Sequence, residues 1–191
     1  PLTDLICREV DRVRDLLAQV EVFAGGVPGQ LSPVNIHEVL QYVISIAKTG
    51  FAAHVTFREH YDPSLPPVLS HRDLLVQLCL NLVKNAAESL ARVPNPTITI
   101  GTAYRSGVRY KLTKCEEPAS LPITVSIEDN GAGIPEAMRG QLFEPFVSSK
   151  EEGRGLGLAI VAKIASDLGA VVELDKDFTP GARFTISLAC A

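Results

Sequence analysis

Apolar residues recur along this chain at two periods that take turns. Over residues 2–24, Leu2, Leu5, Ile6, Val10, Val13, Leu16, Leu17, Val20 and Phe23 fall on one stripe with Asp, Glu and Arg opposite, the spacing of an amphipathic helix in need of a partner. Gly25-Gly26-Val27-Pro28-Gly29 breaks that pattern and marks a hinge. A second helix is expected after Asn35 as N-cap, with Glu38 in the capping-box position and an end near Gly50. Val55–Tyr61 alternates like a strand, and the prolines of Asp62-Pro63-Ser64-Leu65-Pro66-Pro67 forbid helix there. The helical period returns over Asp73–Leu90. Strands are then expected at Thr97–Tyr104, Val108–Leu112 and Ile123–Glu128, the first two joined as a hairpin at Ser106-Gly107. Gly140–Arg154 has no clean period and reads as a mobile loop suited to be a lid. A helix over Leu156–Leu168, a strand at Val171–Leu174, a turn at Thr179-Pro180-Gly181 and a strand at Phe184–Leu188 complete the pattern. Irregularly interspersed strands and helices favour an α+β fold, a mixed sheet with helices on one face.

At 191 residues the chain has room for one well-buried domain and a short appendage. A formal net charge of −4 argues against a nucleic-acid footprint, so any basic groups that matter must be local. Cys7, Cys79, Cys115 and Cys190 are widely spaced without a CxxC, which reads as free thiols in a reducing, cytoplasmic setting. His37, His54, His60 and His71 make no metal spacing with them, and a zinc site is not expected. No apolar run reaches the ~18 residues that span a bilayer, and the first residues resemble neither a signal nor a transit peptide.

Three motifs carry chemistry. Within Asp73–Leu90, Leu75, Leu78, Cys79, Leu82, Val83, Ala86 and Leu90 form the buried stripe, and Gln77, Asn81, Lys84, Asn85 and Glu88 line a second face. A solvated face would serve as an explanation, but mid-helix Asn disfavours helix by about 0.6 kcal/mol against Ala, and two of them one turn apart need a reason. Amide oxygens suit a Mg²⁺ that keeps its waters and bridges phosphates. Asp129-Asn130-Gly131-Ala132-Gly133 follows a strand. A tight turn would explain one glycine, whereas two glycines around a carboxylate let a planar ligand approach, and an ionised Asp accepts from an exocyclic amine such as adenine N6. Gly153-Arg154-Gly155-Leu156-Gly157-Leu158 lacks the GxGxxG spacing and follows a loop, but glycines at a helix start still turn backbone N–H groups and the helix dipole toward phosphates, with Lys150 and Arg154 adding positive charge.

Taken in this order, the motifs resemble the ATP-binding catalytic domain of sensor histidine kinases, part of the wider family shared with gyrase, the Hsp90 chaperones and MutL. Asn81 to Ala86 matches the N box, Asp129 to Gly133 the G1 box, Phe143-Glu144-Pro145-Phe146 the F box, Gly153 to Gly157 the G2 box and Thr179 to Phe184 the last glycine box, over roughly residues 33–190. Tyr61-Asp62-Pro63-Ser64-Leu65-Pro66, the extra hairpin around Tyr104 to Leu112 and Leu142 to Ser148 resemble the nitrogen-regulation kinases in particular. The resemblance implies a Bergerat-type two-layer sandwich at 35–191, a linker at 27–34, and at 1–26 the second helix of a dimerisation hairpin. It implies ATP and Mg²⁺ as cofactors, with Asp129 on adenine N6, Asn85 on the metal, Asn81 beside the triphosphate, Gly131 and Gly133 at the base, and Lys84, Lys150, Gly153, Arg154, Gly155, Leu156 and Gly157 around the phosphates. Its implied partners are the chain's own phosphoacceptor domain, a response regulator of the nitrogen-control type and a PII-type signalling protein, within a homodimer.

Where ATPases of the wider family place a water-activating Glu, this chain has Asn81, and an amide is no general base, so transfer of a phosphoryl group is favoured over hydrolysis. No His here has the His-Glu-x-x-Asn-Pro surroundings of a phosphoacceptor, so the sequence reads as part of a longer chain that binds ATP without phosphorylating itself. Glu88 stands where many members have Lys, and Ala182 where many have Ser or Thr. A nucleotide-holding regulatory module and a hydrolytic ATPase are the competing readings.

Overall fold

The computed structural model describes residues 30–112, 117–147 and 155–191. The helix expected over residues 2–24 and the break at 25–29 lie outside them. Strand β1 (Ser32–Val34) comes first, inside the segment read as a linker, and pairs antiparallel with β3 (Val68–Ser70). Asn35 then caps helix α1 (Ile36–Thr49): its side-chain oxygen accepts the His37 N–H at 3.0 Å and its amide donates to Glu38 at 3.2 Å. Strand β2 (Thr56–His60) leads through the proline connector and β3 into helix α2 (Arg72–Ser89). Helix α4 (Gly157–Leu168) stops at Gly169, whose φ of 65° is the left-handed end that glycine takes without strain.

The main sheet has the order β2-β4-β7-β9-β8, built from β4 (Thr97–Tyr104), β7 (Ile123–Asp129), β8 (Val171–Leu174) and β9 (Arg183–Leu188) beside β2. Only the β2–β4 pair is parallel, and α2 supplies the crossover that a parallel pair requires. Register sorts the side chains. Ile100, Ile127, Phe184 and Leu174 stand in one row, and Val125 and Ile186 lie in the next, facing the helices. Gly101, Ser126, Thr185 and, one row along, Glu128 and Arg183 take the opposite face. Helix α1 packs on α2, and α2 on α4 and the sheet, closing a core around Leu40, Leu75, Leu78, Leu82, Ile98, Ile127 and Ile160. The mixed sheet with its layer of helices is the expected α+β arrangement.

Two expectations need correction. Ser106-Gly107 does turn the chain, with Gly107 at φ 80°, but β4 runs on to pair with β7. The short β5 (Arg109–Tyr110) pairs instead with β6 (Ala119–Ser120) as a separate ribbon. Tyr110 ties that ribbon to the sheet, donating to Glu173 at 3.0 Å and accepting from Ser187 at 3.2 Å. The second concerns the loop expected from Gly140. A short helix α3 (Glu136–Arg139) precedes it, Leu142 is buried and the Phe143 ring meets Phe184 edge-on at 6.4 Å, so its first part is anchored in the core.

Among the described residues Cys79 and Cys190 are free thiols, and burial pushes the Cys79 thiol from 9.0 up to about 12. Because the folded value lies above the unfolded one, this contribution is intact below pH 9 and is lost as pH climbs toward 12. Stability against urea should therefore fall above about pH 9, and Cys79→Ala should lose stability less steeply there, by up to one proton in the linkage slope. Equal slopes would mean that the thiol ionises without unfolding.

Candidate functional site

Helix α2 carries one polar stripe at steps of four: Asn81, Asn85 and Ser89. Asn81 turns its amide nitrogen back to the Gln77 carbonyl at 2.9 Å, which spends its donor on its own helix and directs its oxygen outward. The Asn85 amide nitrogen is buried and has no partner, a condition that native structures seldom leave uncorrected. Gly157, the first residue of α4, sits against both amides. A Cβ there would lie 3.4 Å from the Asn85 nitrogen, 3.5 Å from its oxygen and 3.8 Å from the Asn81 oxygen. The N-terminal end of α4, with Leu156 as its N-cap, thus meets the middle of α2.

At the other end of the stripe stands Asp129. Register opposes it to Ile98, so the last residue of β7 points to the helix side of the sheet and is only 7% exposed, a buried carboxylate that must be partnered. Its Oδ1 accepts the Gly131 N–H at 2.8 Å and the Ala182 N–H at 3.4 Å, while its own N–H donates to the Ala182 carbonyl at 2.9 Å. Backbone packs tightly here. A Cβ on Gly181 would fall 1.8 Å from the Asp129 carbonyl oxygen, one on Gly133 2.7 Å from the Gly181 oxygen, and one on Gly131 2.8 Å from both Asp129 Oδ1 and Ser89 Oγ. Ser89 is thereby the contact between the α2 stripe and the acidic turn. Asn130 faces away, accepting the Thr97 N–H at 2.8 Å and donating to the Asn95 carbonyl at 3.1 Å, which pins the turn to the start of β4.

Asn81, Asn85, Asp129, Gly131, Gly133 and Gly157 are therefore gathered along one side of α2. Lys84 lies on the exposed face of the same helix. Gly155, at φ 64°, sits against the end of the segment after α3: its carbonyl accepts the Phe146 N–H at 3.1 Å, and a Cβ on it would strike Val147 at 2.5 Å. Lys150, Gly153 and Arg154 lie outside the described residues. Gly181 and Ser89 were missed as site residues. The glycine of Thr179-Pro180-Gly181 is visible in sequence, but its contact with Asp129, some fifty positions earlier, leaves no local pattern. A hollow of about 260 Å³ lined by Ser126, Glu128, Arg183 and Thr185 opens on the opposite face of the sheet and is separate from this cluster. The described residues hold no His, Cys, Asp or Glu group suited to a metal, and no helix long and apolar enough to cross a membrane.

An α/β sandwich with an amide-bearing helix, a glycine-collared buried carboxylate and a glycine-rich helix start is the frame of a nucleotide-binding ATPase domain. The family of histidine kinase-, DNA gyrase B-, and HSP90-like ATPases matches residues 70–191, and the chain belongs to it. Among its relatives, the sensory histidine kinase/phosphatase NtrB of Rhizobium meliloti (strain 1021) is 48% identical over 174 residues, 91% of this chain and 46% of that protein. The same-named protein of Rhodobacter capsulatus is 44% identical over 191 residues, 100% of this chain and 52% of that protein. The chain thus spans about half the length of the curated relatives it matches. Full-length ShkA in complex with AMPPNP superposes with a TM-score of 0.73 at 25% identity, covering 96% of this chain and 36% of that one. Histidine kinase ThkA in complex with response regulator protein TrrA shares the fold, with a TM-score of 0.72 at 21% identity, covering 98% of this chain and 50% of that one.

The collar makes a sharp prediction. Gly181→Ala should lower unfolding stability by more than about 2 kcal/mol, because its Cβ meets backbone that cannot move aside and its φ is positive. Gly140→Ala, with open space at its Cβ, should change stability by less than about 1 kcal/mol. Comparable urea midpoints for the two variants would refute the collar.

Proposed function

We propose that this chain is the ATP-binding catalytic domain of a two-component sensor histidine kinase acting in nitrogen regulation. The observation that carries the reading is the α2 stripe. From Asn81 to Ser89 it runs about 12 Å at the helical rise, the scale of a nucleoside triphosphate. One end meets the start of α4 and the other meets a buried carboxylate. At the base end Asp129 accepts from adenine N6, and Gly131 and Gly133 let the ring lie against backbone; guanine offers a carbonyl where the amine is needed. At the phosphate end the partnerless Asn85 amide suits a nucleotide in either orientation. Its nitrogen would donate to a phosphate oxygen, and its oxygen, after a half-turn of the amide, would ligate Mg²⁺. The metal would neutralise charge on the phosphates. Asn81 lies beside the triphosphate, Gly155, Leu156 and Gly157 present backbone to it, and Lys84, Lys150, Gly153 and Arg154 add contacts from the helix and the lid.

The reaction is in-line attack by a His imidazole nitrogen on the γ-phosphorus, with the bond to the β-phosphate oxygen breaking and ADP leaving. That His belongs to a phosphoacceptor domain outside these 191 residues, and the phosphoryl group passes on to an Asp of a response regulator of the nitrogen-control type. The names of the NtrB relatives and the AMPPNP bound to ShkA support this reading. The relatives' names pair kinase with phosphatase activity, and the motif resemblance to nitrogen-regulation kinases adds a cytoplasmic homodimer that answers to a PII-type signalling protein. Within it residues 1–26 form the second dimerisation helix and a linker follows, and the catalytic domain opens with β1 at Ser32, which pairs with β3.

Calorimetric titration tests the base end directly. The chain should bind Mg·ADP well above Mg·GDP, and Asp129→Asn should lose at least about tenfold in ADP affinity, because the amide brings a donor where an acceptor is needed. Equal binding of the two nucleotides, or an unchanged mutant, would refute the assignment of Asp129. With radiolabelled ATP, the chain alone should label nothing and should label a supplied His-bearing dimerisation hairpin. Nucleotide binding without such transfer would point to a regulatory module, and steady ATP turnover without an acceptor to a hydrolytic ATPase.

A further inference from the structure

Nothing in the α2 stripe explains how the acidic turn is kept against the segment that closes over it. At Asp129 the turn is already tied to Ala182 by two hydrogen bonds, but farther along Gly133 and Gly181 meet backbone to backbone with no side chain on either to hold them. One residue beyond Gly133, the Ile134 carbonyl accepts from Arg139 Nε at 3.1 Å, and five residues before Gly181 the Lys176 carbonyl accepts from Arg139 Nη1 at 2.9 Å. A guanidinium holds two N–H donors in one rigid plane, so both segments are fixed by a single half-buried side chain. The turn from 175 to 182 is gripped from its other side by Arg183. That residue pairs with Glu128 at 2.9 Å and Asp175 at 3.1 Å and stacks over the Phe178 ring at 4.2 Å. What the clamped turn delivers is Gly181 and Ala182, the backbone against Asp129.

We propose that Arg139 is a positioning residue for base recognition: by bridging the Ile134 and Lys176 carbonyls it sets the distance between the Asp129 turn and the Gly181 segment, and with it the direction of the Asp129 carboxylate. The inference rests on the nucleotide reading above. It also assigns a role to a side chain that touches neither base nor phosphate. Asn81 and Asn85, with Gly157 of α4 against them, lie in the middle of α2 at the far end of the polar stripe from Ser89 and share no hydrogen bond with Arg139, so the phosphate end should not feel its loss.

The test uses the 191-residue chain as wild type, Arg139→Met and Arg139→Lys, titrated with Mg·ADP, Mg·GDP and magnesium tripolyphosphate, with thermal unfolding alongside. Arg139→Met should bind ADP about tenfold more weakly and discriminate less between ADP and GDP, while tripolyphosphate binding stays unchanged. Arg139→Lys, which can reach one carbonyl at a time, should fall between the two and keeps the test alive if the methionine variant does not fold. Unchanged ADP affinity and selectivity in a folded variant, or equal losses for ADP and tripolyphosphate, would overturn the proposal by making Arg139 an ordinary structural contact. A wild-type chain that shows no preference for adenine would remove the nucleotide reading itself, a different failure visible before any variant is compared.

Discussion

The contact on which the site depends is the one between the Gly181 backbone and the Asp129 backbone. A carboxylate buried to this degree is unfavourable unless donors meet it, and here the donors are main-chain N–H groups of Gly131 and Ala182. Ala182 can reach only because the residue before it has no Cβ and adopts φ 98°. Strand register does the rest. With Ile100 opposite Ile127 and Ile98 opposite Asp129, the acidic side chain ends on the helix side of the sheet, and a slip of one residue would turn it to the other face.

Helix α2 serves two demands with one periodicity. Leu75, Leu78, Leu82 and Ala86 bind it to the core, and the positions between them put Asn81, Asn85 and Ser89 on the side left for a ligand. Asn is a poor helix former, so two of them in the middle of the helix cost local propensity, and the packing of the opposite face keeps the helix formed. The Asn85 nitrogen without a partner and the glycine set against it belong to the same compromise.

Long periodic elements were legible in the sequence. Thr97–Tyr104 and Val171–Leu174 match residue for residue, and α1, α2 and α4 fall within a residue or so of expectation, because burial imposes a clear period on each. The three-residue strands β1 and β3 were not legible, since so few positions carry no period and their pairing joins residues nearly forty apart. The Ser106-Gly107 turn was read correctly as a turn and wrongly as a hairpin: local chemistry fixes the bend, whereas the partner of β4 is decided by which strands can bury Ile123, Val125 and Ile127 beside it. Leu142 and Phe143 were absorbed into a loop for a similar reason, their anchor Phe184 being distant in sequence. In the cluster around Asp129, contacts made through the folded chain, such as those of Ser89 and Gly181 with the acidic turn, leave no local signature in the sequence.

The step of four between Asn81, Asn85 and Ser89 has a geometric consequence. Four residues overshoot one helical turn by about 40°, so the stripe winds by about 80° from its first member to its last. Whatever lies along it must curl around the helix instead of running straight beside it. A molecule with rotatable bonds between its ends can follow that curve, and a stiff planar one of the same length and polarity cannot. A nucleotide lying along the stripe as proposed would therefore have to curl with it, a demand written in nothing more than the mismatch between 4 and 3.6.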